Sequence, residues 1–132
     1  MKIAVDMDNT LIDEMGASVR PGIISFLEKT AARHTLYVWT NSTKARAVGL
    51  LNHHNLRKYF EGIIAREDYD PLEQGLPKDL RIYGFDMLID DDPEEILFNI
   101  RNKKKGVLLE PFRKNKTMDS HELDDIIKKY NL

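Results

Sequence analysis

The feature that most constrains this chain is a short apolar run, Ile3-Ala4-Val5, that breaks at once into Asp6-Met7-Asp8-Asn9-Thr10. Such a run reads as a buried parallel strand whose carboxyl end opens into a site. In open α/β sheets, ligands bind beyond those ends. Asp6 and Asp8 are two positions apart, and regular strand geometry would aim both side chains the same way. Carboxylates that close repel unless a proton or a cation lies between them. The pair therefore points to a divalent metal, a proton-transfer group, or both. Acids that merely cap a loop and the next helix are the plainer alternative.

The rest of the chain alternates between the two periodicities. Pro21 suits the first turn of a helix carrying Ile23, Ile24, Phe26, Leu27 and Ala31 up to about His34. Thr35 to Thr40 is a β-branched and aromatic strand, ending in the helix-capping group Thr40-Asn41-Ser42-Thr43. The helix beyond runs through Ala45, Val48 and Leu51 toward His54. Gly62 to Ala65 is a weak third strand, followed by a polar loop from Arg66 to Gly75. Pro77 opens an expected helix from Lys78 to about Tyr83, with Gly84 as its stop. Phe85 to Ile89 is the fourth strand and runs into Asp90-Asp91-Asp92. Pro93 starts a helix with Ile96, Leu97 and Ile100, and Gly106 to Leu109 is the fifth strand. In the last helix Asp119 and Glu122 stand at capping-box spacing, ahead of the stripe Leu123, Ile126, Ile127 and Tyr130.

This alternation predicts an α/β fold: a single doubly wound, Rossmann-like domain with a mostly parallel five-stranded sheet and helices on both faces. A length of 132 residues suits one domain, here residues 1–132. The formal net charge of -2 selects no class of partner. The chain has no cysteine, which excludes a thiolate nucleophile and a sulfur-ligated metal and suits a cytoplasmic setting. Asp6 interrupts the first apolar run, so no signal peptide is expected. No apolar stretch nears the roughly 20 residues that span a bilayer, so no membrane partner is expected.

The out-of-place polar residues fall at strand ends or just before a strand. Asp6 and Asp8 follow the first, Thr40 the second and Asp90-Asp91 the fourth, while Lys78 precedes the fourth. A right-handed doubly wound sheet gathers those ends along one edge. Four carboxylates, a hydroxyl and an ammonium suit phosphoryl transfer from a phosphomonoester. Mg²⁺ favours carboxylate and carbonyl oxygens, a cation and a lysine offset phosphoryl charge, and a carboxylate can serve as nucleophile.

In this order, Asp-x-Asp-x-Thr, strand-end Thr, Lys and acidic pair, the chain resembles the haloacid dehalogenase superfamily of phosphotransferases over nearly its whole length. Arg20-Pro21-Gly22 with Phe26-Leu27, Tyr37-Val38-Trp39-Thr40-Asn41-Ser42, Lys78-Asp79-Leu80 and Ile89-Asp90-Asp91-Asp92-Pro93 are similar to the small phosphatases acting on the RNA polymerase II C-terminal domain. Pro111-Phe112 and the stretch to Asp119 and Leu123 continue that likeness. The resemblance implies Asp6 as nucleophile and metal ligand. It implies Asp8 as general acid and base, with its backbone carbonyl on the metal, Mg²⁺. Thr40 would hold a phosphoryl oxygen with the Asn41 amide, and Lys78 would stabilise phosphoryl charge and orient Asp6. Asp91 aligns with the usual metal ligand, Asp90 and Thr10 with positions behind the ligands, and Asp92 with a helix cap. The polymerase-tail phosphatases usually carry Asn where this chain has Asp91, and Glu or a similar residue at Asn9.

Superfamily members that close over small metabolites insert a cap domain between these motifs. The 34 positions from Asp6 to Thr40 and the 38 from Thr40 to Lys78 leave no room for one. A capless, open site suits a bulky phosphorylated substrate, such as a phosphoprotein or a nucleic-acid end. A nucleotide or sugar phosphatase with a lid supplied by oligomerisation is the alternative. So is a non-catalytic metal- and phosphate-binding module. A phosphoacceptor receiver would place its acidic pair first, whereas here the pair comes last. The basic clusters Arg101 to Lys105 and Arg113 to Lys116 read as solvated surface, or else as a patch steering a phosphorylated polymer. The four histidines show no ligand spacing, and Trp39 reads as core.

Overall fold

The computed structural model describes residues 1–119 and 121–132. Five strands, β1 (Lys2–Val5), β2 (Thr35–Trp39), β3 (Gly62–Ile64), β4 (Met87–Asp90) and β5 (Lys105–Leu108), form one sheet in the order β3-β2-β1-β4-β5. Every pairing is parallel, with Ile3 in register with Leu36 on one side and Met87 on the other. From β1 the chain winds outward through β2 and β3, then returns to β4 on the other flank of β1. The order therefore reverses between β1 and β4, where doubly wound sheets bind ligands.

Side chains alternate between the two faces, as pleating requires. Ile3, Val5, Leu36, Val38, Met87, Ile89 and Val107 join Phe26, Leu27, Ala47, Leu51, Leu123 and Ile126 in one core. Those helical residues come from α1 (Ile23–Ala31), α2 (Lys44–His53) and α5 (Glu122–Tyr130). On the opposite face Ala4, Trp39, Ile64, Leu80, Phe85 and Leu88 pack with Ile96 of α4 (Pro93–Arg101). Each apolar side chain fully buried this way contributes about 1.5–3 kcal/mol. Trp39 is fully buried, with its ring edge-on to Tyr69 and Tyr83. A Cβ on Gly106 would lie 2.8 Å from Ile96 Cγ2, so the bare backbone of β5 is what lets α4 approach so closely.

Several local expectations are corrected. Pro21 lies outside α1, which begins at Ile23 behind an N-cap Gly22 with φ of 81°. The segment after Pro77 forms turns rather than a helix. Its N–H groups are drawn to α4 instead: Lys78 donates to the Glu95 carboxylate at 2.7 Å and Leu80 to Asn99 Oδ1 at 3.1 Å. The polar loop opens with a one-turn helix, α3 (Arg66–Tyr69), closed by the Asp68 carboxylate accepting from Ala65 N–H at 2.9 Å. In α2 it is Ala47 and Leu51 that face the core, with Ala45 and Val48 outside. Leu97 and Ile100 of α4 are exposed, and Asn99 takes the inward position. The Asp119–Glu122 capping box does not form. Asp119 accepts from His121 N–H at 2.9 Å, while the Glu122 carboxylate is bound by Arg20 and Glu110 N–H. Asp92 does cap α4, accepting from Glu94 N–H at 2.9 Å, and Thr43 caps α2. No described helix is long and apolar enough to cross a membrane.

Candidate active site

Beyond β1 the ladder continues by one residue, with Asp6 N–H donating to Ile89 C=O at 2.9 Å. The chain then curls about Met7, whose carbonyl accepts from Leu11 N–H at 2.9 Å and from Thr10 and Ile12 at 3.3 Å. Asn9 takes φ of 64°, a left-handed conformation that Asn tolerates better than most residues. This curl turns Thr10 inward onto Asp6 and leaves Asp8 at the rim.

Lys78 occupies the centre. Its ammonium donates to Asp6 Oδ1 and to Asp90 Oδ2, each at 2.8 Å, and all three side chains are almost wholly buried. Burial opposes the lysine's charge, but the two carboxylates outweigh it and hold the ammonium above its ordinary range. Burial likewise pushes Asp6 up to about 6, against the pull of Lys78. Asp90 also rises to about 6, through burial and the neighbouring charge of Asp6. Three buried charges with one positive leave an excess negative charge, which is costly in a desolvated site.

The other oxygen of Asp6 faces Asp91. Thr10 Oγ1 lies 3.0 Å from Asp6 Oδ2 and 3.3 Å from Asp91 Oδ1, and its hydroxyl has a single proton for the two acceptors. Oxygens of Asp6, Asp90 and Asp91 all fall within 4.8 Å of one another. An all-carboxylate cluster with unbalanced charge fits a hard divalent cation.

Thr40, one residue past β2, donates its N–H to Ile64 C=O at 2.9 Å. Its Oγ1 accepts from Ser42 N–H at 3.0 Å, which leaves the hydroxyl proton to be donated into the site. The Asn41 side-chain oxygen lies 3.3 Å from the Tyr69 hydroxyl. Asp6, Asp8, Thr40, Asn41, Lys78, Asp90 and Asp91 thus line one open cavity of about 630 Å³, with Thr10 behind them; among the described residues no separate cap covers it.

Among the described residues Asp8 and Asp6 share no hydrogen-bond partner. The Asp8 carboxylate is gripped by both Arg46 nitrogens at 2.9 and 3.0 Å, and Arg46 also reaches Ser42 Oγ at 3.2 Å. Arg46 was not legible as a site residue, because nothing in the sequence links the first turn of α2 to the β1 loop. Arg20 was legible only as part of a motif. Its buried guanidinium donates to Thr10 C=O at 2.7 Å, Asn9 C=O at 3.1 Å, Glu110 C=O and the Glu122 carboxylate, fixing the β1 loop from behind. Glu95, which orients Lys78 through its backbone, and Arg113, at the cavity rim, were missed for the same reason.

A model of the NLI interacting factor-like phosphatase family matches residues 1–131. No curated protein matches by sequence. Among solved structures, a haloacid dehalogenase-like hydrolase from Streptococcus pneumoniae is similar at a TM-score of 0.73 and 13% identity, over 98% of this chain and 97% of that one. The RNA polymerase II CTD phosphatase Fcp1 of fission yeast, bound to beryllium fluoride, is similar at 0.63 and 17% identity. A second structure of Fcp1 gives 0.66 and 18%. Both Fcp1 comparisons cover 97% of this chain but 49% and 47% of theirs, so the chain spans about half their length. At these identities the likeness is one of fold.

Proposed function

The chain belongs to the NLI interacting factor-like phosphatase family, and from that premise we propose that it hydrolyses phosphomonoesters with Mg²⁺, through an aspartyl-phosphate on Asp6. The observation that carries the reading is the buried Asp6–Lys78–Asp90 triplet beside Asp91, at the point where the strand order reverses.

Asp6 and Asp91, with the Asp8 backbone carbonyl, would hold the cation, with Asp90 and Thr10 behind them. Bound there, Mg²⁺ supplies positive charge to the phosphoryl oxygens. The residues divide the remaining work. Lys78 donates to Asp6 Oδ1 and keeps the carboxylate from rotating. The Thr40 hydroxyl and the Asn41 amide hold phosphoryl oxygens, and the Lys78 ammonium adds charge in a dry site where it acts most strongly. Asp8 gives a proton to the leaving oxygen, then takes one from the water that attacks the phosphorus of the aspartyl-phosphate. Arg46 must yield part of its grip for Asp8 to act as an acid.

Residues 1–132 act as one capless domain on this reading, and the open cavity favours a bulky phosphorylated substrate such as a phosphoprotein. The CTD phosphatase relatives are consistent with that class. The test is hydrolysis of an aryl phosphate with and without Mg²⁺, wild type against Asp6→Asn, with mass spectrometry of the acid-quenched protein. Metal-dependent turnover and a phosphoryl adduct on Asp6, both lost in Asp6→Asn, are expected. Turnover that survives Asp6→Asn would sink the mechanism.

A further inference from the structure

We propose that a groove beside the catalytic cavity receives the polypeptide flanking a phosphorylated residue, with an apolar side chain seated on Leu108 and acidic residues beyond it. The proposal rests on the phosphatase reading above and names the substrate class of that site.

The groove, about 410 Å³, is lined by Leu108 and by Glu110 and Glu122, whose carboxylates are engaged by Lys116 and Arg20, and shares Asp91, Pro93 and Pro111 with the catalytic cavity, so the two are continuous. Leu108 is 51% exposed although it ends a strand. It points to the same face as Gly106, whose Cβ position meets Ile96 and Ile100, so it stands on the α4 side of the sheet. There the exposed Ile100 lies beside Gly106, two residues before Leu108, so the apolar surface continues back along the strand.

The backbone supplies a second part of the fit. Among the described residues β5 is paired on one side only, so its outer edge presents N–H and C=O groups to an extended chain. Charge supplies the third. Arg101, Lys103, Lys104 and Lys105 lie at the far end of that edge, and no acid occurs between Arg101 and Leu109. None of the four has a carboxylate partner among the described residues. At about 3.3 Å per residue, Lys105 stands about 10 Å below Leu108. An extended peptide with an acid about three residues beyond its apolar anchor would meet it. A second copy paired edge to edge through β5 would bring the same apolar and basic residues, whereas an acidic peptide brings counter-charge.

The test uses the full chain, an aryl phosphate, and two fluorescent phosphoserine peptides. One peptide carries leucine followed by acids on either side of the phosphoserine; the other carries glycine and serine there. Steady-state turnover and fluorescence anisotropy are read for wild type and Leu108→Asp. The leucine-acid peptide is expected to bind and turn over with a KM and Kd at least about tenfold lower than the other, equivalent to about 1.4 kcal/mol. Leu108→Asp should erase that difference and leave aryl phosphate hydrolysis unchanged. Equal binding of the two peptides by wild type would overturn the proposal. So would an equal effect of Leu108→Asp on all three substrates, or a wild-type dimer that Leu108→Asp dissolves. Failure to hydrolyse any substrate would strike the phosphatase reading instead, while the anisotropy arm still decides the groove.

Discussion

Lys78 and Asp6 are 72 positions apart in the chain and 2.8 Å apart in space, joined by a buried ion pair that Asp90 completes from the other side. The lysine thereby links the ends of β1 and β4, the two strands that flank the reversal in strand order. It offsets one of the two carboxylates and leaves an excess of negative charge in the site.

Lys78→Met is therefore expected to harm folding and catalysis together. It strands two buried carboxylates, a change that typically costs about 3–5 kcal/mol. Turnover should fall at least about a hundredfold, since on the proposed mechanism the same ammonium serves the phosphoryl group. Thermal denaturation and steady-state kinetics on the same preparation check both. A variant of unchanged stability would mean that Asp6 and Asp90 find protons or water without the lysine.

The pH dependence of the metal-free protein follows from Asp6 and Asp90. Both sit at about 6, above their ordinary 3.8, so the folded state binds their protons more tightly than the unfolded chain. Their contribution to stability is present below about pH 4 and is lost as pH rises through about 6. Mg²⁺ needs the ionised carboxylates and should raise the Tm more at about pH 7.5 than at about pH 5. Melting curves in chelator and in Mg²⁺ at the two pH values measure this. An equal shift at both would remove Asp6 from the metal site.

The Asp8–Arg46 pair is half-exposed, so solvent screening leaves it worth about 1 kcal/mol of stability at most. Its value lies in orientation, because the two-pronged grip fixes the plane of the Asp8 carboxylate. Arg46→Met should leave the Tm nearly unchanged and lower kcat about tenfold. Arg46→Lys should restore only part, since an ammonium lacks the planar fork. Full activity in Arg46→Met would show that Asp8 needs no holder.

Arg20 touches neither the catalytic carboxylates nor the cavity, yet it holds the β1 loop by two backbone carbonyls and ties it to Glu110 and α5. A lysine cannot serve four acceptors spread over that width. Arg20→Lys is expected to cost about 2–4 kcal/mol and to lower kcat with little change in KM. Chemical denaturation and kinetics test it, and a rise in KM alone would place Arg20 in substrate binding.

The sequence alone determined the sheet, the helices that cover it and the edge at which Asp6, Thr40, Lys78 and Asp90 would meet. Short apolar runs ending in polar residues report buried parallel strands, and right-handed crossovers leave few ways to arrange them. Tertiary structure decided what local pattern could not. It unmade the helix after Pro77, because Glu95 and Asn99 compete for its N–H groups. It turned Asp8 toward Arg46, made Arg20 the anchor of the β1 loop, and opened the flank around Leu108. Each of these depends on which side chain from a distant element reaches a given backbone or charge. That is set by packing distances of a few ångströms, which residue order does not encode one position at a time.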